Sequence, residues 1–178
     1  MCVNAIPFLH TASQHVKLRT SKCLKSREKE KLMLGVKGAM NVHSRNGFSV
    51  EEMDGDLEFQ CVKNEFSPPI ENIADADAHV HPIKRSIRTA KEKIRCTIQG
   101  LPFSCIPKEM MKALPAHVMR IFNKLLVKSS VSKGMSPLSI ITRVPRPDYN
   151  NLKLEFEERV EAHEDKKLSW NPHHYPMP

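Results

Sequence analysis

Three carboxylates crowd one short stretch, Asp54, Asp56 and Glu58. Side chains of this type bind divalent cations, and a catalytic Mg²⁺ site uses them to clamp attacking and leaving oxygens. Asp56 is the best placed. It follows an alternating run, residues 48–53, that reads as a strand, and the end of a strand is the usual place for a metal-binding carboxylate in an α/β sheet. A working site needs ligands that converge from different elements, which one acidic turn does not provide. A solvated turn with a capping Asp accounts for the same residues. His79 with His81, and His173 with His174, have the look of ligand pairs, yet no Cys or His cluster completes a tetrahedral set. Cys105 and His117 have the types of a nucleophile and its base. A buried thiol and a surface imidazole describe them equally well.

A second chemistry lies in residues 81–100. Ile83, Ile87, Ala90, Ile94 and Ile98 recur at steps of four, three, four and four, which sets them on one helical face. Lys84, Arg88, Lys91 and Arg95 repeat those steps one residue later, with Arg85 beside them. Pro82 suits a first helical turn, and Gly100 and Pro102 close the far end. Two readings fit. One is a surface helix with a solvated outer face. The other is a helix packed on a core that offers a cationic edge, Lys84, Arg85, Arg88, Lys91 and Arg95, to a polyanion.

The balance of the chain bears on that choice. Its 178 residues suffice for one domain with a core, and 40% are hydrophobic. Aromatics are 6%, so the core must be mostly aliphatic and Met. There are 28 Lys and Arg against 20 Asp and Glu, a net charge of +8 that favours nucleic acid or another acidic partner. The five cysteines are scattered, with no C-x-x-C spacing, and read as reduced, mostly buried intracellular thiols. No apolar run approaches membrane-spanning length, and no signal peptide is visible, so no membrane partner and a cytoplasmic or nuclear location are expected.

The elements that must position these residues alternate between strand and helix, as in an α/β sandwich. Residues 3–10 and 15–20 read as two strands joined by a turn at 11–14. A helix follows at 27–45, with Ser26 as N-cap and Asn46-Gly47 as its stop, weakened by Gly35 and Gly38. The strand at 48–53 leads to a short helix at 57–66, with Phe59, Val62 and Phe66 inward. Residues 70–74 form a short buried strand before the basic helix. A helix at 108–127 turns Met111, Leu114, Val118, Ile121, Phe122 and Leu125 inward, and Pro115 should kink or break it at a cost of about 3 kcal/mol. Ser136-Pro137 opens a short turn or helix through 141, and 152–156 alternates like a strand. The division expected is one domain over 1–156 and a poorly ordered tail over 157–178.

Four stretches then fall into one pattern: NAIPFLHTASQHVKLRT, RNGFSVEEMDGDLEF, DADAHVHPIKRSIRTAKEKIRCTIQGLPF and MSPLSIITRVPRPDYNNLKLEF. In this order they resemble the integrase catalytic core of copia-type retrotransposon polyproteins, over about residues 3–156. The strand ending in D-x-E-F, the R-S-I-R-T helix and the S-P-L-x-I-x-T segment carry the resemblance.

The resemblance implies a ribonuclease H-like fold, a mixed sheet flanked by helices. It also implies two Asp and one Glu that bind Mg²⁺ for 3′-end processing and strand transfer of DNA. Asp56 matches the family's second Asp. The first Asp belongs just before the segment that begins here with Met1, so the sheet is expected to be incomplete at its first strand. The Glu belongs in a V-x-x-x-E-R-x-x-R-T arrangement. Here that arrangement is occupied by residues 80–89, and Lys84 stands in the Glu position. An ammonium repels metal. The expectation is therefore a catalytically dead, truncated integrase-core fragment without a cofactor of its own. It would bind nucleic acid nonspecifically at most. The alternatives are a relic that only associates with itself or with protein, and, less favoured, an active strand-transfer enzyme.

Overall fold

The computed structural model describes residues 1–67, 70–74, 81–102, 105–128, 130–132, 134–144, 149 and 156. The expected strand at 152–156 (apart from Phe156), the tail at 157–178, His79, His173 and His174 lie outside them. The fold is mixed α/β. Three strands, β1 (Cys2–Val3), β2 (Ile6–Ala12) and β3 (Arg19–Cys23), form an antiparallel sheet in that order. Helix α1 (Lys29–Ser44) follows. β4 (Met53–Asp56) and β5 (Ile70–Ala74) pair in parallel, with the 3₁₀ helix Leu57–Val62 between them in sequence. Three helices follow among the described residues: α2 (His81–Gly100), α3 (Lys108–Lys124) and α4 (Pro137–Thr142).

The first hairpin differs from the sequence reading. Asn4 and Ala5 adopt φ of 47° and 62° and join β1 to β2 as a two-residue turn with both residues left-handed, so residues 3–10 are not one strand. The second turn also shifts. Residues 13–18 form the loop, closed by Ser13 N–H donating to Leu18 O at 2.9 Å and Leu18 N–H to Ser13 Oγ at 2.9 Å. Leu18 is buried beneath it, which makes an apolar residue of the sequence-expected strand an anchor of the loop instead. β3 therefore begins at Arg19, with Ala12 opposite Arg19 and Phe8 opposite Cys23.

Alternation on β2 gives the sheet two apolar faces. Leu9 packs with Leu24, Leu32, Val36, Val62, Phe66 and Ile70, the core beneath α1. The glycine that weakened the α1 reading has a tertiary reason. A Cβ at Gly35 would lie 2.8 Å from Leu9 Cδ2, so only glycine lets the helix come this close to the sheet. The N-cap of α1 is Glu28, not Ser26, whose hydroxyl instead donates to Glu28 Oε2 at 2.9 Å. Gly47, φ 77°, closes the far end as expected. β4 starts at Met53, later than expected, because only residues from Met53 onward find partners on β5. Gly55 sits within it, where a Cβ would meet Phe59 Cβ at 3.2 Å and Ile70 Cγ2 at 3.3 Å. Phe59, Val62 and Phe66 do turn inward.

The other face of the sheet carries α2 and α3. Ala90, Ile94, Leu114, Val118 and Met119 form its core, with Met1, Val3, Ile98, Phe122 and Phe156 packed around them. α3 runs continuously through Pro115. The ring is fully buried beside Leu114, so apolar burial offsets the missing hydrogen bond and the helix is not broken. Leu125, expected inward, lies beyond the helix and is 47% exposed. None of the five cysteines is buried: Cys2 and Cys23 are half-buried, and Cys61, Cys96 and Cys105 are exposed.

Two polar devices fix these layers. His10 on β2 is buried, and its Nε2 lies 2.9 Å from Ser86 Oγ on α2. Burial first, then the positive charges of Arg19 and the N-terminus, lower the His10 pKa from 6.5 to about 4. On β3, Arg19 N–H donates to Asn123 Oδ1 at 2.9 Å, and Asn123 Nδ2 donates to Arg19 O at 2.7 Å. The Asn123 amide thus takes both hydrogen-bonding groups of a strand residue at the sheet edge, while the Arg19 guanidinium stacks 5.0 Å from the Phe122 ring centroid.

Both devices give measurable expectations. The folded state holds His10 neutral, so its contribution is complete above pH 6.5 and falls as pH drops towards 4, where the unfolded imidazole takes up a proton. The pKa difference is worth roughly 3 kcal/mol. Thermal melts of His10→Gln should lose less Tm between pH 7 and pH 4.5 than the wild type does, and an equal loss would show that His10 does not titrate this way. Asn123→Ala should cost about 1–3 kcal/mol in a denaturant melt and raise the dimer or aggregate fraction on size exclusion. An unchanged midpoint would mean that the amide clamp contributes nothing.

Candidate nucleic-acid interface

α2 forms over the residues that its sequence pattern marked. Ala90 and Ile94 are fully buried, and Ile83, Ile87 and Ile98 are half-buried around them. With Ser86 tied to His10, the helix cannot roll without leaving a buried polar group unpaired. Its outer face is therefore set by its inner one. Lys84, Arg85, Arg88 and Arg95 are exposed, and Lys91 is half-buried at the margin. The structure brings the five cations together on one helix as the spacing implied.

Sequence reasoning passed over one acid on that helix. Glu92 Oε1 accepts from Arg88 Nε at 3.0 Å, one helical turn away. The spacing of four residues was the signal that could have revealed it. The Arg88 side chain is still 82% exposed, so the pair leaves the guanidinium open to a further anion.

Asp56 ends β4 and is exposed, as the reading of a carboxylate at a strand end required. The company it keeps differs from that of a metal ligand. Glu58 Oε1 accepts from Arg27 Nη1 at 2.5 Å, and Arg27 Nη2 donates to Cys2 Sγ at 2.7 Å. The Cys2 contact, then the Glu58 charge, with Asp56 adding to it, hold the guanidinium above its ordinary pKa. Asp54 lies on the same strand, with Gln14 Nε2 reaching towards its Oδ2 at 3.4 Å. Nearby, Lys29 binds Glu65 at 2.5 Å; this contact lowers the carboxyl pKa and raises that of the ammonium.

Arg27 is the residue that sequence reasoning missed entirely. It lies 31 positions from Glu58, and nothing in its local pattern announces the contact. Its presence bears on the Mg²⁺ that the resemblance implies. One carboxylate of the acidic corner is already held by a fixed cation. The Glu position of the family pattern carries the exposed Lys84, and among the described residues no three His, Cys, Asp or Glu groups converge to hold a metal ion. The described residues do not fit a divalent metal at Asp56.

Of the remaining candidates, Cys105 and His117 lie among the described residues. Cys105 is exposed rather than buried. The His117 ring packs against Phe156, with centroids 5.0 Å apart. Two open hollows, one beside Arg45, Gly47 and Arg143, the other beside Lys37, Met40 and Phe66, include neither Asp56 nor any residue of α2. No helix among the described residues is long and apolar enough to cross a membrane. No protein-family model matches the chain, and no curated protein matches it.

Proposed function

We propose that this chain binds nucleic acid without sequence preference through α2, and that it has the form of an integrase core that has lost its chemistry. The observation that carries the binding reading is the fixed helix. Its apolar side is buried on the sheet, and Lys84, Arg85, Arg88 and Arg95 stand exposed along its outer side. A 20-residue helix spans about 30 Å, enough to lie across several phosphates. Such contacts supply affinity and register but carry no sequence information. The silent chemistry is supported by Lys84 in the Glu position and by the Arg27 cation on Glu58. The net charge of +8 acts in the same direction, steering polyanions towards the surface.

Duplex binding measured from 50 to 300 mM salt tests the first part. With four exposed cations engaged, log K should fall against log salt with a slope of about −3 to −4. Lys84→Glu with Arg95→Glu should lower the magnitude of that slope by about 2 with little change in Tm, since both side chains are exposed. Affinity that is flat with salt, or unaffected by the double reversal, would sink the proposal. In the opposite direction, Glu92→Gln should remove a competing carboxylate from Arg88 and tighten binding at a given salt, with the slope little changed. The chemical part fails on a different result: Mn²⁺-dependent nicking of plasmid DNA that disappears in Asp56→Asn.

A further inference from the structure

We infer that Arg27 is the resident cation of the acidic corner made by Asp56 and Glu58, and that it keeps divalent metal from that corner. The inference deepens the silent-chemistry half of the proposed function, with which it shares Arg27, Asp56 and Glu58, and is independent of nucleic-acid binding by α2. Arg27 precedes α1, β1 opens the antiparallel sheet, and Asp56 and Glu58 stand where β4 passes into the 3₁₀ helix. One guanidinium joins these regions, with Nη2 on Cys2 Sγ at 2.7 Å and Nη1 on Glu58 Oε1 at 2.5 Å. Lys29 on Glu65 makes a second link between the start of α1 and the segment after the 3₁₀ helix.

A guanidinium is suited to this role because it stays charged at any working pH and offers a rigid fork of donors. Two carboxylates so close in sequence attract a divalent ion, which can be held through one or two carboxylates and several waters. With Arg27 present, one carboxylate is hydrogen-bonded and the charge of the corner falls from −2 to −1. A tethered cation also occupies the space at an effective concentration that a free ion at physiological level does not reach. The Arg27 side chain is 53% exposed, so its replacement changes the charge of the corner without opening the core.

Mn²⁺ titrations of the full chain, read by loss of the free-ion electron paramagnetic resonance signal, test this directly. Arg27→Gln should bind Mn²⁺ about tenfold more tightly than the wild type. The gain should disappear in Arg27→Gln with Glu58→Gln, and Mg²⁺ should compete for it. Arg27→Lys keeps a cation at the corner and should stay as weak as the wild type. The inference is overturned if Arg27→Gln gains nothing, if the gain survives Glu58→Gln, or if Arg27→Lys gains as much as the glutamine variant. It is equally overturned if the wild type already binds Mn²⁺ as tightly as Arg27→Gln does. Circular dichroism of each variant confirms that the comparison is between folded chains.

Discussion

Everything on one side of the sheet depends on how α2 is seated. Ala90 and Ile94 are fully buried against Leu114, Val118 and Met119, and Ser86 reaches His10 on the middle strand. The apolar contacts supply most of the energy, on the order of 1.5–3 kcal/mol for each large buried side chain. They do not by themselves select a rotation, because neighbouring apolar rows can slide past one another. The buried hydrogen bond does. Rolling α2 would strand both the imidazole and the hydroxyl, each at a cost of about 1–3 kcal/mol. That single polar contact converts an amphipathic helix into one with a defined outer face, and the outer face is where the charge lies.

The sheet is small, and its edges are handled in different ways. β3 ends the order of strands, and there the Asn123 side chain stands in for a further strand by pairing with both the N–H and the C=O of Arg19. β1 is only two residues long, too short to template an incoming chain effectively. Self-association was among the alternatives of the sequence reading, and it would proceed through an open sheet edge. The amide clamp removes one of the two edges that it would need. The parallel pair β4 and β5 forms its own two-stranded sheet, and Arg27 gives it a polar tie to the antiparallel one through Cys2 and Glu58.

How much of this was legible depended on whether the signal was local. α2 was readable end to end, because its two stripes are a property of the helix alone and the core had only to accept the apolar one. The 70–74 strand and the turn at Asn46-Gly47 were legible for the same reason. The first hairpin was not. Its turn uses Ala5 at a left-handed φ, which no propensity announces, and its second loop carries Val16 and Leu18, whose alternation with polar residues imitates a strand although Leu18 is buried as a loop residue. Gly35 looked like a weakness in a helix until Leu9 was found 2.8 Å from where its Cβ would lie. Pro115 looked like a break until its ring proved to be packed inside. At the site, the exposed face of α2 was legible and the partner of Glu58 was not, since sequence gives no reason for residue 27 to meet residue 58.

The sign of charge links the two halves of the proposed function. A carboxylate at position 84 would face a DNA phosphate only with a metal ion between them. Under the proposed function a lysine there would meet the phosphate directly, so the side chain that repels metal would also be the one that adds polyanion affinity. Arg27 would act in the same sense at the other acidic group, where its guanidinium is bound to Glu58. The two changes are not equivalent in their effect on binding. Lys84 is exposed on the cationic face and adds to its field, whereas Arg27 is largely consumed by its partners and contributes little beyond its own corner. Binding without chemistry therefore does not require a new surface. On the proposed function, it would follow from cations standing where the resemblance places metal-bound carboxylates, on a scaffold whose helix is already held in place from behind.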